Sequence, residues 1–529
     1  MKKKVTGLLA LLMAGSLLLT ACGGTTALNT DTQQNTDSTD KTGTTAPVVT
    51  VVDGGAQATV LEADDSGYEF SKRDLDPSYD EVAATIILSD SGVAVEGSGV
   101  TVSGSDVTIT AAGTYLISGT LTDGSITVAA GEEEKVQLVL SGVSVTNSDG
   151  PALYVQSGDK VFLTLADSTN NRFSDGSGYT AADGDTELDA AIFSRSDLTI
   201  NGGGSLTVTG NNKHGIVSKD DLVITGGTVT VTAQNVAING KDCVKIAAAT
   251  LALTAGTDGI RSDNDADADR GYVYIHSGSV TIHAGSDGIQ ASTVLYISGG
   301  TVDVTAGGGS TGASASTGWG GWGGASSSTD SGAKGLKADV ELIITGGIIT
   351  VDSSDDCIHS NGDITIDGGT LRLTTDDDGI HADATLTING GTFEITAAEG
   401  LEATVVTIND GDITITASDD GINAARKVSA YTPLVEINGG TVTISMGAGD
   451  TDGIDSNGNI VINGGTVSVT GSSTFDYDGT GVINGGTVTV NGQQVTTLPN
   501  QMMGGGMMGG GMMGGGPGGG MGGPGMGRP

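Results

Sequence analysis

"TTDDDGIHADATLTINGG", residues 374–391, carries the pattern that decides the fold. Ile380 and Ala382, then Leu386 and Ile388, then Phe393 and Ile395 are apolar at every second position, so each short run is a strand with one buried face. Corners such as Ile388-Asn389-Gly390-Gly391 separate the runs, since a corner needs the positive φ that glycine adopts without steric cost. The Gly-Ile phrase recurs with its apolar residue at Leu153, Ile192, Ile216, Ile238, Ile260, Ile289, Leu336, Ile358, Ile380, Leu401, Ile422 and Ile454. The step is 22 residues from Ile216 to Ile238 to Ile260 and from Leu336 to Ile358 to Ile380. A fixed period of this size marks a solenoid. Three strands and three corners in about 22 residues make one coil of a parallel β-helix. The predicted fold is therefore all-β, a single-stranded parallel β-helix, right-handed by the general crossover rule. Twelve such coils at the strand spacing of about 4.8 Å span roughly 50 Å.

Outward from this body the chain changes character. It opens Met1-Lys2-Lys3-Lys4, continues with an apolar run from Val5 to Leu19, and reaches Thr20-Ala21-Cys22. A basic start, a short apolar stretch and small residues before a boundary describe a secretory signal, and the run is too short to span a bilayer comfortably. Leu19-Thr20-Ala21-Cys22 resembles the bacterial lipoprotein box, which implies residues 1–21 as signal peptide, lipidation of Cys22, and an extracellular protein anchored to the cell membrane. An ordinary signal peptide is the alternative. Residues 22–80 read as a disordered tether, 81–182 as N-terminal capping coils, 183–498 as the β-helix proper and 499–529 as a disordered Met/Gly-rich tail. The tail's methionines suit soft Cu(I) in an alternative reading. Cys243 and Cys357 are separated by several coils, too far for a disulfide, and read as small buried hydrophobes.

The formal net charge of −41 argues against nucleic acid as a partner, since so acidic a chain is poorly suited to neutralise phosphates. The acid is patterned. Before the Gly-Ile phrase stand Asp258, Asp287, Asp356, Asp378, Glu399, Asp420 and Asp452, with Lys334 interrupting and Asp355, Asp377 and Asp419 doubling the series. Equivalent positions of a solenoid lie one above another, about 5 Å apart, where two unit charges repel by about 3 kcal/mol at an effective dielectric near 20. Such a column calls for protons or bridging cations. Calcium, which takes six to eight oxygens, fits Asp355, Asp356, Asp377, Asp378, Glu399, Asp419 and Asp420. Solvated turn-capping aspartates are the alternative. In "RSDNDADADRG", Asp263, Asp265, Asp267 and Asp269 alternate as in a calcium loop, although the glycine offset and the missing closing glutamate exclude an EF-hand.

If each Ile points inward, the next residue points out. That row, with the one two residues further on, gathers Arg195, Lys219, Lys241, Arg261, Lys337, His359 and His381 on one face. A ribbon of cations beside calcium suits a long, repeating, partly anionic polymer. Trp319 and Trp322, in a Gly/Ser-rich insertion, read either as platforms for sugar rings or as a cover for the core edge. "DDGIHADATLTINGGTFEIT", "SDDGINA", the lipoprotein start and the Met-Gly tail together resemble a bacterial family of secreted carbohydrate-binding-domain proteins. The resemblance spans roughly residues 183–492. It implies a right-handed parallel β-helix shaped like pectate lyases, bound calcium, and non-catalytic binding of plant cell-wall polysaccharides, acidic ones included; the partner expected here is an acidic or cellulosic polysaccharide, bound by a monomer. Lys334, His214 and Val236-Ala237 depart from its acidic pattern. Two other readings stand beside this one. A polysaccharide lyase would need a base such as His359 or His381. In a structural or adhesive protein, calcium would serve only rigidity.

Overall fold

The computed structural model describes residues 68–179, 188–311, 332–447 and 451–500. Cys22, Trp319, Trp322 and the Met-Gly tail lie outside the described residues. Every described strand belongs to one hydrogen-bonded system. The pairings are parallel except at the two ends, where Ala84–Leu88 meets Ala94–Gly97, Val100–Ser103 meets Asp106–Ile109, and Thr487–Val490 meets Gln493–Val495. These hairpins close the coil stack, as a solenoid requires.

One coil shows the construction. Ile358–Ser360, Asp363–Ile366 and Thr370–Thr375 form its three strands, here called the first, second and third. Ile358, Ile364, Ile366, Leu371 and Leu373 point inward and are buried. The twelve Gly-Ile positions stand in continuous register, from Leu153 opposite Ile192 to Ile422 opposite Ile454. The register runs further than the phrase. Ile126 precedes Leu153, and Phe475, which no Gly-Ile announces, follows Ile454.

Two kinds of glycine hold the coil, for different reasons. The second glycine of the second corner has positive φ, 108° at Gly391 and 75° at Gly440. The glycine before Ile answers a packing demand instead. A Cβ on Gly379 would lie 2.5 Å from Ile395 Cγ2 and 2.6 Å from the Gly400 carbonyl oxygen. The same corner carries an amide ladder. Asn389 donates to Asp367, Asn409 to Asn389, Asn438 to Asn409, Asn463 to Asn438 and Asn484 to Asn463, all at 2.7–2.9 Å. Asn438→Ala removes two of these bonds at an exposed edge, so we expect a loss of about 1 kcal/mol. Urea unfolding at constant m-value measures it.

Residues 68–80, read from composition as tether, are ordered against the second strands. The strap crosses seven successive outward positions: Gln137, Phe162, Thr199, Val223, Lys245, Tyr274 and Tyr296. A single turn, Lys72–Leu75, is closed by a capping box between Ser71 and Asp74. Asp74 is 2% exposed, pairs with Lys160 Nζ at 2.8 Å and accepts from Thr199 Oγ1 at 2.6 Å. Lys245 Nζ donates to the Glu69 carbonyl, and Tyr68 lies 4.7 Å from the Tyr272 ring and 5.9 Å from that of Tyr296. Cys243 and Cys357 are free and buried; burial pushes the Cys357 thiol up to about 12.

Candidate functional site

The site lies on the outer face of the first strands. Their outward residues stack in register: Tyr154, Phe193, Val217, Asn239, Arg261, Gln290, Lys337, His359, His381, Glu402, Asn423 and Asp455, then Asp476. The row is less open than alternation implies. Phe193 and Val217 are fully buried, and Asn239, His359, Glu402 and Asn423 are also buried. Phe193 and Val217 form an apolar cluster of their own with Ala190, flanked by Tyr154 and Leu188. Further along, the acids before the Gly-Ile phrase fold back over the row.

The face has three zones. At the N-terminal end, Arg195, Lys219 and Lys241 follow the first strands of successive coils. Arg195 and Lys219 lie 5.8 and 5.5 Å from the Phe193 ring centroid, and Arg195 Nε donates to Tyr154 Oη. The next coils pair their charges locally. Arg261 contacts Asp258 at 3.3 Å and Asp263 at 3.5 Å. In the insertion that follows, Asp267 lies 3.5 Å from Arg270, whose guanidinium also contacts Asp242, while Asp265 and Asp269 are exposed. This differs from the expected calcium loop. The neighbouring arginines, Arg261 and Arg270, take up Asp263 and Asp267, and the four alternating carboxylates are not among the described residues whose ligand atoms gather within 4.8 Å of one another. Burial raises Asp258 and pushes Asp287 up to about 6, and Lys337 opposes both shifts only in part.

The central zone is a closed cage. His359 Nδ1 is 2.7 Å from Asp356 Oδ2 and its Nε2 is 2.8 Å from Asn361 Oδ1. One coil on, His381 Nδ1 is 2.8 Å from Asp378 Oδ2, 3.3 Å from Glu402 Oε2 and 3.7 Å from Asp356 Oδ2. The two imidazole centroids are 4.9 Å apart. Lys334, 4% exposed, reaches Asp355 at 3.3 Å and Asp356 at 3.8 Å, and Lys427 pairs with Glu402 Oε1 at 2.8 Å. Burial raises Asp356, but the His359 hydrogen bond and the nearby cations outweigh it and hold the carboxyl below its ordinary value. Burial pulls His381 down, yet the contacts with Asp378 and Asp383 carry it up to about 11. Burial and acidic neighbours push Asp378 up in the same contact. A 2.8 Å imidazole–carboxylate contact favours the ion pair, so His381 is a cation here.

In the third zone no described cation stands against Asp420 or Asp455. Burial and Glu399 push Asp420 up to about 8, and burial with Glu402 pushes Glu399 up to about 7. Burial and Asp476 raise Asp455 to about 6. Asp419 is exposed beside them. Asn423 donates through Nδ2 to Glu399 and Glu402, toward the preceding coil, while its buried Oδ1 has no hydrogen-bond partner. Desolvation of its carboxyl, then Asp356 and Asp355, raise Asp377 to about 6, although the residue as a whole is exposed and solvent screens part of that effect. The sequence places Asn423 and Asp455 in the outward row but assigns them no role there, and Asp476, one coil further on, escaped it because no Gly-Ile phrase marks that coil.

A profile described as carbohydrate-binding domain-containing protein matches residues 103–379 and 375–498. A relative from Acetivibrio thermocellus with the same description is 44% identical over 125 residues, 23% of this chain and 44% of the relative's length. The chain thus spans less than half of that relative. A solved structure described as the polysaccharide lyase-like protein from C. thermocellum, a gadolinium derivative, is 39% identical, covers 43% of this chain and 92% of that one, and has a TM-score of 0.41.

Proposed function

The chain belongs to the carbohydrate-binding domain-containing family, and from that premise we propose a non-catalytic, calcium-dependent binder of acidic plant cell-wall polysaccharide, monomeric and held at the cell surface by a lipid on Cys22. The observation that carries this reading is the zoned face. Arg195, Lys219 and Lys241 repeat once per coil, about every 4.8 Å, close to the rise of one sugar unit along a polymer. They offer a uronate chain one cation per step. The third zone offers the opposite charge. Asp420, Asp455, Glu399 and the unsatisfied Asn423 Oδ1 supply the hard oxygens that calcium takes, and a calcium ion there can share a ligand with a uronate carboxylate. Against a lyase reading, His381 Nδ1 is held among three carboxylates and His359 is engaged at both ring nitrogens, which disfavours either as the base.

Affinity electrophoresis of the full chain in polygalacturonate gels tests the proposal. Retardation is expected with calcium and is reduced by chelation or by high salt, since exposed charges are screened. Replacing Arg195, Lys219 and Lys241 together with alanine is expected to weaken binding at least tenfold, about 1.4 kcal/mol. Equal mobility with and without polygalacturonate, at every calcium level, would sink the proposal.

A further inference from the structure

The central cage is chemically unlike the rest of the acidic column, because two imidazoles stand inside it. Asn361 donates through Nδ2 to Asp339 Oδ1 at 3.1 Å, which turns its Oδ1 toward His359. That oxygen accepts from His359 Nε2 at 2.8 Å, so Nε2 carries the proton. A neutral His359 would then aim the Nδ1 lone pair at the Asp356 carboxylate 2.7 Å away. Only a proton or a metal ion resolves that contact. His381 has a looser counterpart one coil later: its Nε2 lies 3.4 Å from Asp383 Oδ1 without forming a hydrogen bond, and its Nδ1 faces Asp356, Asp378 and Glu402. An imidazole oriented by an oxygen on its far nitrogen is how metal-ligating histidines are held. The ligand atoms of Asp356, His359 and His381 lie within 4.8 Å of one another, as do those of Asp378, His381 and Glu402.

We propose that Asp356, His359 and His381, closed by Asp378 or Glu402, form a binding site for one divalent transition-metal ion of the zinc or cobalt type, bridging two adjacent coils. Nitrogen donors select a borderline ion over calcium, which takes oxygens alone. Five carboxylates, Asp355, Asp356, Asp378, Glu399 and Glu402, face the two ammonium groups of Lys334 and Lys427 around this cage. With the imidazoles neutral, three carboxylate charges are left over, and a divalent ion offsets two of them in place of the imidazole protons. The ligands are all largely buried, so the ion is a closed, structural one, which joins the strands Ile358–Ser360 and Asp378–Ile388. The sequence reading gave Asp356 and Asp378 to calcium; the imidazoles transfer them to a different ion.

The test is Co2+ titration of the chelator-treated full chain, without a polyhistidine tag, in excess Ca2+. One Co2+ per chain is expected, with the visible bands of a four- or five-coordinate ion. His359→Gln and His381→Gln should each weaken it by about 100-fold, and Asn361→Ala by about tenfold. Displacement of Co2+ by calcium, or equal affinity in His359→Gln, overturns the site. Should a variant not fold, pulsed EPR of the Cu2+-loaded wild type decides: two coupled imidazoles support the site and none refutes it. No polysaccharide enters the measurement, so this site and the glycan face stand or fall separately.

Discussion

Freed of divalent cations, the full chain is expected to melt at least 5 °C lower at pH 8.5 than at pH 5. The sign follows from the acids of the first-strand face. Asp287 and Asp455 are raised to about 6, Glu399 to about 7 and Asp420 to about 8, each chiefly by burial and then by its neighbours. A carboxyl whose folded pKa exceeds its unfolded value binds more protons when folded. Its contribution is full below the unfolded value near 4 and disappears as pH rises through the folded value. His381, raised to about 11, acts in the same direction above pH 6.5. Each group contributes on the order of 1 kcal/mol or more, since a tenfold change in proton affinity is worth about 1.4 kcal/mol. Added calcium should reverse the loss at pH 8.5, by about 2.7 kcal/mol at a hundredfold excess over Kd. Calorimetric scans at pH 5, 7 and 8.5, with chelator and with calcium, measure both effects. A melting temperature that climbs with pH in chelator would refute the burial of these charges.

Asp74→Ala is expected to cost about 3–5 kcal/mol, the range for removing one partner of a buried ion pair. Lys160 would be left 12% exposed without the carboxylate 2.8 Å away, and Thr199 would lose its 2.6 Å acceptor. Burial raises Asp74, but Lys160, Thr199 and Ser71 together hold it below its ordinary value. Asp74→Asn keeps the shape and loses the charge. A loss with alanine much larger than with asparagine would assign the effect to the hydrogen bonds. Denaturant unfolding followed by tyrosine fluorescence reads it directly, since the Tyr68 ring packs at a tilt among those of Tyr272, Tyr274 and Tyr296.

The coil register was legible in the sequence because the side-chain period in a strand is two and a slip of one residue would turn the core outward. The Gly-Ile phrase marked the inward column, and the residue after it marked the outward one. Phe475 escaped because Thr474 replaces the glycine, at a coil with Asp476 and Tyr477 beside it. The burial of the outward row was not legible. Periodicity gives the side of the sheet on which a residue stands, and not what folds over it. Here the acid three residues before each histidine does so, at 2.7 and 2.8 Å. The strap escaped for a related reason. Tyr68, Phe70 and the Ser71–Asp74 box sit in a polar stretch with no period, and their partners are remote in sequence, from Gln137 for Arg73 to Tyr296 for Tyr68. The capping-box spacing was the one local signal.

That strap alters how the molecule comes apart. In a stack of coils each repeat touches only its neighbours, so unfolding can begin anywhere and spread in steps. The segment from Tyr68 to Pro77 crosses seven second strands, from the one bearing Gln137 to the one bearing Tyr296. It adds contacts of long range to a nearest-neighbour array, and only over that part. The coils it crosses must release the strap before any can open fully, which makes them one cooperative block. The coils from Ile343 onward have no strap among the described residues and remain free to fray singly from the Thr487–Val490 end. Amide exchange should therefore divide the protein in two: near-uniform, slow protection from Val136 to Ile297, and protection that falls coil by coil toward Val490.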